Sequence, residues 1–247
     1  MTDILLLHAG IADSRMWAPQ IDALHAYDHR TIAPDLRGFG KTPLPAEKFS
    51  YVRDAEALLE RPAVVVGCSL GGRVALELAV TRPDLVLALF LIAPGLTGWD
   101  WSETTRAGWA AEEDAFEQGD YDIAAEESVR MWIDGPRRSP EEVDGDLRAT
   151  VRDMVLRSYA LQKDAWDAGA EEEELDPPVH KRLGEISCRT LVVVGDEDVA
   201  DLRSIAEHVA ATIPGGQFET LPGAAHVPSL ERPDAVNALL LGFLTDL

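Results

Sequence analysis

The stretch Ala63-Val64-Val65-Val66-Gly67-Cys68-Ser69-Leu70-Gly71-Gly72, running on into Arg73 to Val80, decides how the chain is read. Its first half is a short apolar run, the pattern of a strand buried on both faces in a parallel sheet. The part after Gly72 has helical character, so Gly67-x-Ser69-x-Gly71 falls on the turn between a strand and a helix. A serine on so sharp a turn stands at the top of the sheet with its hydroxyl exposed, and the next backbone N–H can face an oxyanion. The flanking residues are glycines because a side chain on Gly67 or Gly71 would collide with the neighbouring strand or helix. Ser69 is the candidate nucleophile.

Outward from this turn the chain alternates strands and helices. On the N-terminal side, Ile4-Leu5-Leu6-Leu7 reads as a buried strand leading into His8-Ala9-Gly10-Ile11. Met16 to Ala26 has the periodicity of a helix, Arg30 to Ala33 reads as the next strand, and Pro34-Asp35-Leu36-Arg37-Gly38-Phe39-Gly40-Lys41-Thr42 as a structured turn. Pro43 to Phe49 is expected as a surface loop, and Tyr51 to Leu59 as a short helix. On the C-terminal side, Leu85 to Ala93 is another apolar run. From Leu96 to about Gly184 no strand-like run occurs; acidic clusters read as solvated faces, and Trp99, Trp101, Trp109, Trp132 and Trp166 lie among them. Regular structure resumes at Thr190 to Val194, before Gly195-Asp196-Glu197-Asp198, and continues with a helix over Leu202 to Ile213 and a strand over Phe218 to Leu221. Pro222-Gly223-Ala224-Ala225-His226 then sets a histidine on the loop beyond the last strand, ahead of a closing amphipathic helix over Glu231 to Leu244. The carboxylates Asp196, Glu197, Asp198 and Asp201 all stand near the end of one strand, any of them a partner for a histidine.

In the Gly-x-Ser-x-Gly turn, the Pro-Asp-x-Arg-Gly-x-Gly-x-Thr segment, Gly-x-x-Asp and the late histidine, the chain resembles the α/β-hydrolase family, with the parts in family order over residues 3–95 and 186–247. The resemblance implies an α/β fold with a mostly parallel sheet, a core divided over residues 1–95 and 186–247, and an inserted helical cap over 96–185 whose tryptophans cover an apolar pocket. It implies catalytic residues Ser69, Asp198 and His226, with Asp198 taken by the family spacing, and an oxyanion hole made by the N–H groups of Gly10 and Leu70. His8 is expected to brace its loop by hydrogen bonds, and Asp35 and Arg37 to hold loops together. Three features depart from the family: Ala9 stands where a glycine is usual, the helix and loop before the Ala63 strand are shorter than usual, and the two-strand N-terminal hairpin is missing. The expected sheet therefore has six strands, with Arg30 to Ala33 on an edge that must be short, covered or part of a subunit contact.

The chain is long enough for one large core, or for a core with an inserted subdomain. The chain has 247 residues, 46% of them hydrophobic, and a net charge of −22, which would repel nucleic acid and anionic membranes. No apolar stretch reaches the ~20 residues that span a bilayer, and Met1-Thr2-Asp3 leads straight into a strand, so a cytoplasmic protein is expected. Cys68 and Cys188 read as small buried thiols. No ligand spacing argues for a metal, and no cofactor is called for. The expected function is serine hydrolysis of a small-molecule ester or lactone through an acyl-enzyme, resembling small carboxylesterases and enol-lactonases. Carbon–carbon bond hydrolases and perhydrolases share the triad. A ligand receptor on the same scaffold is the alternative from another class.

Overall fold

The computed structural model describes residues 2–245. The chain opens with β1 (Asp3–Leu7), α1 (Ala18–His25), β2 (Arg30–Ile32), β3 (Lys48–Phe49) and α2 (Tyr51–Ala57). The central unit follows as β4 (Ala63–Cys68), α3 (Leu70–Thr81) and β5 (Val86–Ile92). An insert carries α4 (Glu103–Glu117), α5 (Tyr121–Val129), a π-helical turn at Arg130–Asp134, α6 (Gly145–Gln162) and β6 (Glu171–Glu172). The chain returns to the sheet with β7 (Arg189–Gly195), α7 (Ala200–Thr212), β8 (Gln217–Leu221), α8 (Pro228–Glu231) and α9 (Pro233–Thr245).

Six strands form one sheet in the order β2-β1-β4-β5-β7-β8, every neighbouring pair parallel. The continuous apolar runs of the central strands are explained by helices on both faces: Ile4 to Leu7, Val64 to Val66 and Leu89 to Ile92 are fully buried. Burying each such side chain contributes roughly 1.5–3 kcal/mol before the entropy of ordering is charged against it. No hairpin precedes β1 among the described residues; β8 forms one edge of the sheet and β2 the other. The β2 edge is only three residues long, with α1 packed beside it and Thr31 and Ile32 half-buried, so little of it is open for pairing.

One expectation is corrected. Lys48-Phe49 is not a surface loop: it pairs in parallel with Glu171-Glu172 from the insert as a separate two-stranded sheet. Phe49 is buried, with its ring 5.0 Å from Tyr51 and 6.0 Å from Trp166. The pairing joins segments over a hundred residues apart, and strands of two residues carry no periodicity that a sequence could display. It is reinforced by Lys48 to Glu171 and Arg53 to Glu173, each 2.8 Å.

The first turn of α3 lies directly on the sheet. A Cβ on Gly71 would strike the Leu7 carbonyl oxygen of β1, and one on Gly67 would strike the Gly71 carbonyl oxygen, both below any tolerated separation. Both obstacles are backbone, which cannot swing aside. Gly71→Ala is therefore expected to lower stability by about 2 kcal/mol or more, read as a lower urea midpoint. Gly145→Ala, where a Cβ meets nothing within 4 Å, is the control and should lose no stability. Equal midpoints for the two variants would contradict the close approach.

Candidate active site

Ser69 occupies the turn between β4 and α3 at φ 52, ψ −112, a left-handed conformation that side chains rarely adopt. Such strain costs on the order of 1–3 kcal/mol and persists only where the surroundings impose it. Here three hydrogen bonds do so: Ser69 N–H donates to Ile92 O (3.0 Å), Gly95 N–H to Ser69 O (2.9 Å) and Gly71 N–H to His8 O (3.0 Å). The turn is thus tied to β5 on one side and to the loop after β1 on the other. The Ser69 hydroxyl does not cap α3.

Leu70 is the first residue of α3, where backbone N–H groups lack intrahelical acceptors and the helix dipole favours negative charge. Gly10 backs onto it: a Cβ there would lie 3.8 Å from Leu70 Cβ. Neither N–H donates to another protein group among the described residues. The loop carrying Gly10 is fixed by His8. Leu36 N–H donates to His8 Nε2 at 2.9 Å, so Nε2 is an acceptor and Nδ1 carries the proton, which it donates to Ala9 O at 2.8 Å. Burial pushes the His8 pKa down and keeps the ring neutral. Asp35 and Arg37 are likewise occupied in holding loops. Asp35 accepts from Ser14 N–H and Lys41 N–H at 2.9 Å each, and Arg37 grips Asp54 with two bonds of 2.5 and 2.8 Å.

The structure brings His226 and Asp198 together. His226 Nδ1 lies 3.0 Å from Asp198 Oδ2, with both side chains buried. A carboxylate only accepts, so Nδ1 carries the proton and Nε2 is the basic nitrogen. The neighbouring carboxylates are engaged elsewhere. Asp196 accepts from Gly223 N–H at 2.6 Å, and Glu197 pairs with Arg137 at 2.9 Å. Asp201 accepts from Ser102 Oγ at 2.6 Å and Thr105 Oγ1 at 2.5 Å, tying the start of α4 to α7.

Three further residues hold His226: Trp132, expected only as one of the cap tryptophans, and Glu231 and Arg138, which no sequence pattern singled out. Trp132 accepts the His226 N–H at 3.1 Å and lays its ring 4.6 Å from the imidazole. Glu231 accepts from the amides on both sides of the histidine, Ala225 N–H (2.9 Å) and Val227 N–H (3.2 Å). Arg138 pairs with Glu231 at 3.0 Å and donates to Ile133 O and Asp134 O at 2.5 and 2.9 Å. A loop from the insert thereby grips the histidine loop. Cys68 is buried beneath, its thiol pKa pushed well up by burial, whereas Cys188 is only half-buried; both are free.

Ser69, His226, Gly10 and Leu70 all border one cavity of about 670 Å³ between the sheet and the insert. Of the insert's tryptophans, Trp101, Trp109, Trp132 and Trp166 line it, while Trp99 packs against His208 with ring centroids 5.6 Å apart. The expectation that the acidic clusters are solvated holds only in part. Glu172 turns inward to Arg73 at 2.7 Å, and Glu112 accepts from Tyr159 Oη at 2.6 Å within the cavity wall. A run of acids on a helix faces several directions, which a count of charges does not separate. Arg73 borders the cavity too and is held between Glu172 and Glu77, the latter at 3.3 Å. Among the described residues no three His, Cys, Asp or Glu side chains gather as a metal site, and no helix is long and apolar enough to cross a membrane.

A serine on a strand-to-helix turn, with a histidine and carboxylate supplied by loops after later strands of a parallel sheet, defines an enzyme scaffold whose site lies at the carboxyl ends of the strands. The chain belongs to the alpha/beta hydrolase family, whose model matches residues 4–239. It is 30% identical over 244 residues to "Putative non-heme bromoperoxidase BpoC" of Mycobacterium tuberculosis (strain H37Rv), covering 93% of this chain and 88% of that one. Among solved structures, a thermophilic esterase from Thermogutta terrifontis is 26% identical with a TM-score of 0.76, covering 100% of this chain and 90% of that one. Est816, described as an N-acyl homoserine lactone degrading enzyme, is 26% identical with a TM-score of 0.77, covering 98% and 93%.

The buried His8 makes a prediction about pH. Its folded pKa is lowered, so as pH falls the unfolded chain takes up this proton first. The stability that neutral His8 contributes is intact above about pH 6.5 and is lost progressively below it. His8→Gln should flatten the decline in urea-unfolding free energy between about pH 7.5 and 5.5. Parallel declines for the variant and the parent would contradict the assignment.

Proposed function

We propose that the protein hydrolyses small carboxylic esters or lactones through a Ser69–His226–Asp198 triad and a covalent acyl-enzyme. The observation that carries this reading is the placement of His226, its Nδ1 held 3.0 Å from a buried Asp198 while its ring borders the same cavity as Ser69. His226 Nε2 takes the Ser69 proton as Oγ attacks the carbonyl carbon, and Asp198 stabilises the imidazolium that forms. The Gly10 and Leu70 N–H groups receive the oxyanion of the tetrahedral intermediate, which collapses as His226 protonates the leaving alkoxide. Water then attacks the acyl-enzyme with His226 again as base, releasing the acid and restoring Ser69. Residues 96–185 serve as a cap that walls the cavity with tryptophans, and the enzyme acts in the cytoplasm. Support comes from the relatives: of the two solved structures, one is an esterase and the other a lactone-degrading enzyme.

The bromoperoxidase name of the 30% identical relative favours one second reading, in which hydrogen peroxide replaces water as the acceptor. Attack of peroxide on the same acyl-enzyme would release a peracid, so this reading shares Ser69, His226 and Asp198 and differs only in the last step.

Ser69→Ala and Asp198→Asn should each lower kcat for p-nitrophenyl acetate and butyrate by about 10⁴-fold or more, without loss of fold by circular dichroism. Turnover by Ser69→Ala at the parent rate would sink the proposal. Peracid formed faster than acid when peroxide is added at low concentration would favour the second reading.

A further inference from the structure

The part of the cavity wall supplied by α4 has a composition that the hydrolytic reading does not use. Trp109, Glu112, Glu113 and Phe116 all border the cavity from α4. Their spacing of three, four and seven residues places them on one helical face. Two carboxylate residues are thus flanked by two aromatic ones, Glu112 half-buried and bound to the Tyr159 hydroxyl, Glu113 exposed at the cavity border. The ring surface extends in both directions. Trp109 stands 4.8 Å from Trp101 and 6.3 Å from Trp132, and Phe116 stands 5.0 Å from Tyr159, whose hydroxyl is bound to Glu112. Lys163 already sits 5.9 Å over the ring of Tyr121, which packs against Phe116, so the outer side of this aromatic group takes a cation.

Charge points the same way. Arg73 is the only lysine or arginine bordering the cavity among the described residues, and it is neutralised by Glu77 and Glu172. Glu112 and Glu113 have no basic partner within salt-bridge distance among the described residues. Half-buried Glu112 has its pKa pushed up mainly by burial, a penalty that a cation beside it would relieve. An ammonium group against ring faces and carboxylates is attracted by both, most strongly when alkylated and weakly hydrated. A carboxylate in the same place would be repelled.

We propose that the α4 face of the cavity, Trp109-Glu112-Glu113-Phe116 backed by Tyr159, is a subsite for an alkylated ammonium group, and that the preferred esters carry such a group away from the reacting carbonyl. The substrate half of this inference rests on the hydrolase reading; the cation subsite does not.

The test separates the two. Binding of phenyltrimethylammonium and of its uncharged isostere tert-butylbenzene is measured on the full chain through the fluorescence of the cavity tryptophans. The cation should bind about tenfold tighter or better, and the double variant Glu112→Gln, Glu113→Gln should bring the two within about threefold. Phe116→Leu supplies an independent variant that keeps both carboxylates and should weaken the cation more than the isostere. Equal affinities in the parent, or a preference unchanged in both variants, overturn the subsite. Turnover is then compared for the p-nitrophenyl esters of γ-(trimethylammonio)butyrate and of its all-carbon isostere, where kcat/KM should favour the cation by about tenfold. Cation-selective binding with equal turnover overturns the substrate assignment. Selective binding with neither ester hydrolysed leaves the subsite standing and removes the hydrolase reading, whereas hydrolysis of both esters without cation-selective binding does the reverse.

Discussion

The contact on which the site depends is the seating of the first turn of α3 on β1, at Gly71 against the Leu7 carbonyl. It admits no side chain, and it draws Gly71 N–H to His8 O, so the start of the helix and the loop after β1 are held as one piece. Two consequences follow from this single approach. Ser69 is held in a left-handed conformation, and Gly10 is brought against Leu70, a Cβ on it lying 3.8 Å from Leu70 Cβ. The backbone strain at Ser69 is sustained because the hydrogen bonds to Ile92, Gly95 and His8 leave the turn no other course. His8 extends the same constraint, since its two ring nitrogens bind Ala9 and Leu36 and fix the loop that carries Gly10.

The other half of the site is held from the opposite direction. Asp198 and His226 follow β7 and β8, but the histidine loop is positioned as much by the insert as by the sheet. Trp132 takes its amide and covers its ring, while Arg138 ties Glu231 to the carbonyls of Ile133 and Asp134. The π-helical turn at Arg130–Asp134 delivers these groups, and such turns are frequent where a helix must serve a functional site. Movement of the insert would therefore be felt at His226 as well as at the cavity wall. The two-stranded pairing of Lys48-Phe49 with Glu171-Glu172 anchors the far end of the insert, with Glu172 reaching back to Arg73 just beyond the Ser69 turn.

How much of this was legible in the sequence depends on whether the determinant was local. The turn around Ser69 is written in adjacent residues, because strand, glycines and helix must be contiguous for the geometry to arise. The central strands are legible as apolar runs that burial on both faces makes continuous, whereas the count of six and the edge place of β2 were implied by the resemblance and the missing hairpin. Among Asp196, Glu197, Asp198 and Asp201 the residues themselves could not choose; the family spacing singled out Asp198, and in the folded chain it is Asp198 that His226 meets. The contact of Trp132 with His226 and the roles of Arg138 and Glu231 were silent because Trp132 and Arg138 find their partners 94 and 93 residues away and a single glutamate or arginine carries no pattern. The inward turn of Glu112 and Glu172 was hidden for a related reason: within an acidic run, which member faces the cavity is decided by helix phase and by tertiary pairing.

The central claim is that Ser69 is a nucleophile activated by His226, and covalent labelling tests it most directly. The protein is treated with a fluorophosphonate probe and the modified residue is located by peptide mass spectrometry. The account predicts a single adduct on Ser69 that forms rapidly in the parent and far more slowly in His226→Ala. Labelling of another residue, or labelling of Ser69 at the same rate in both proteins, would contradict it.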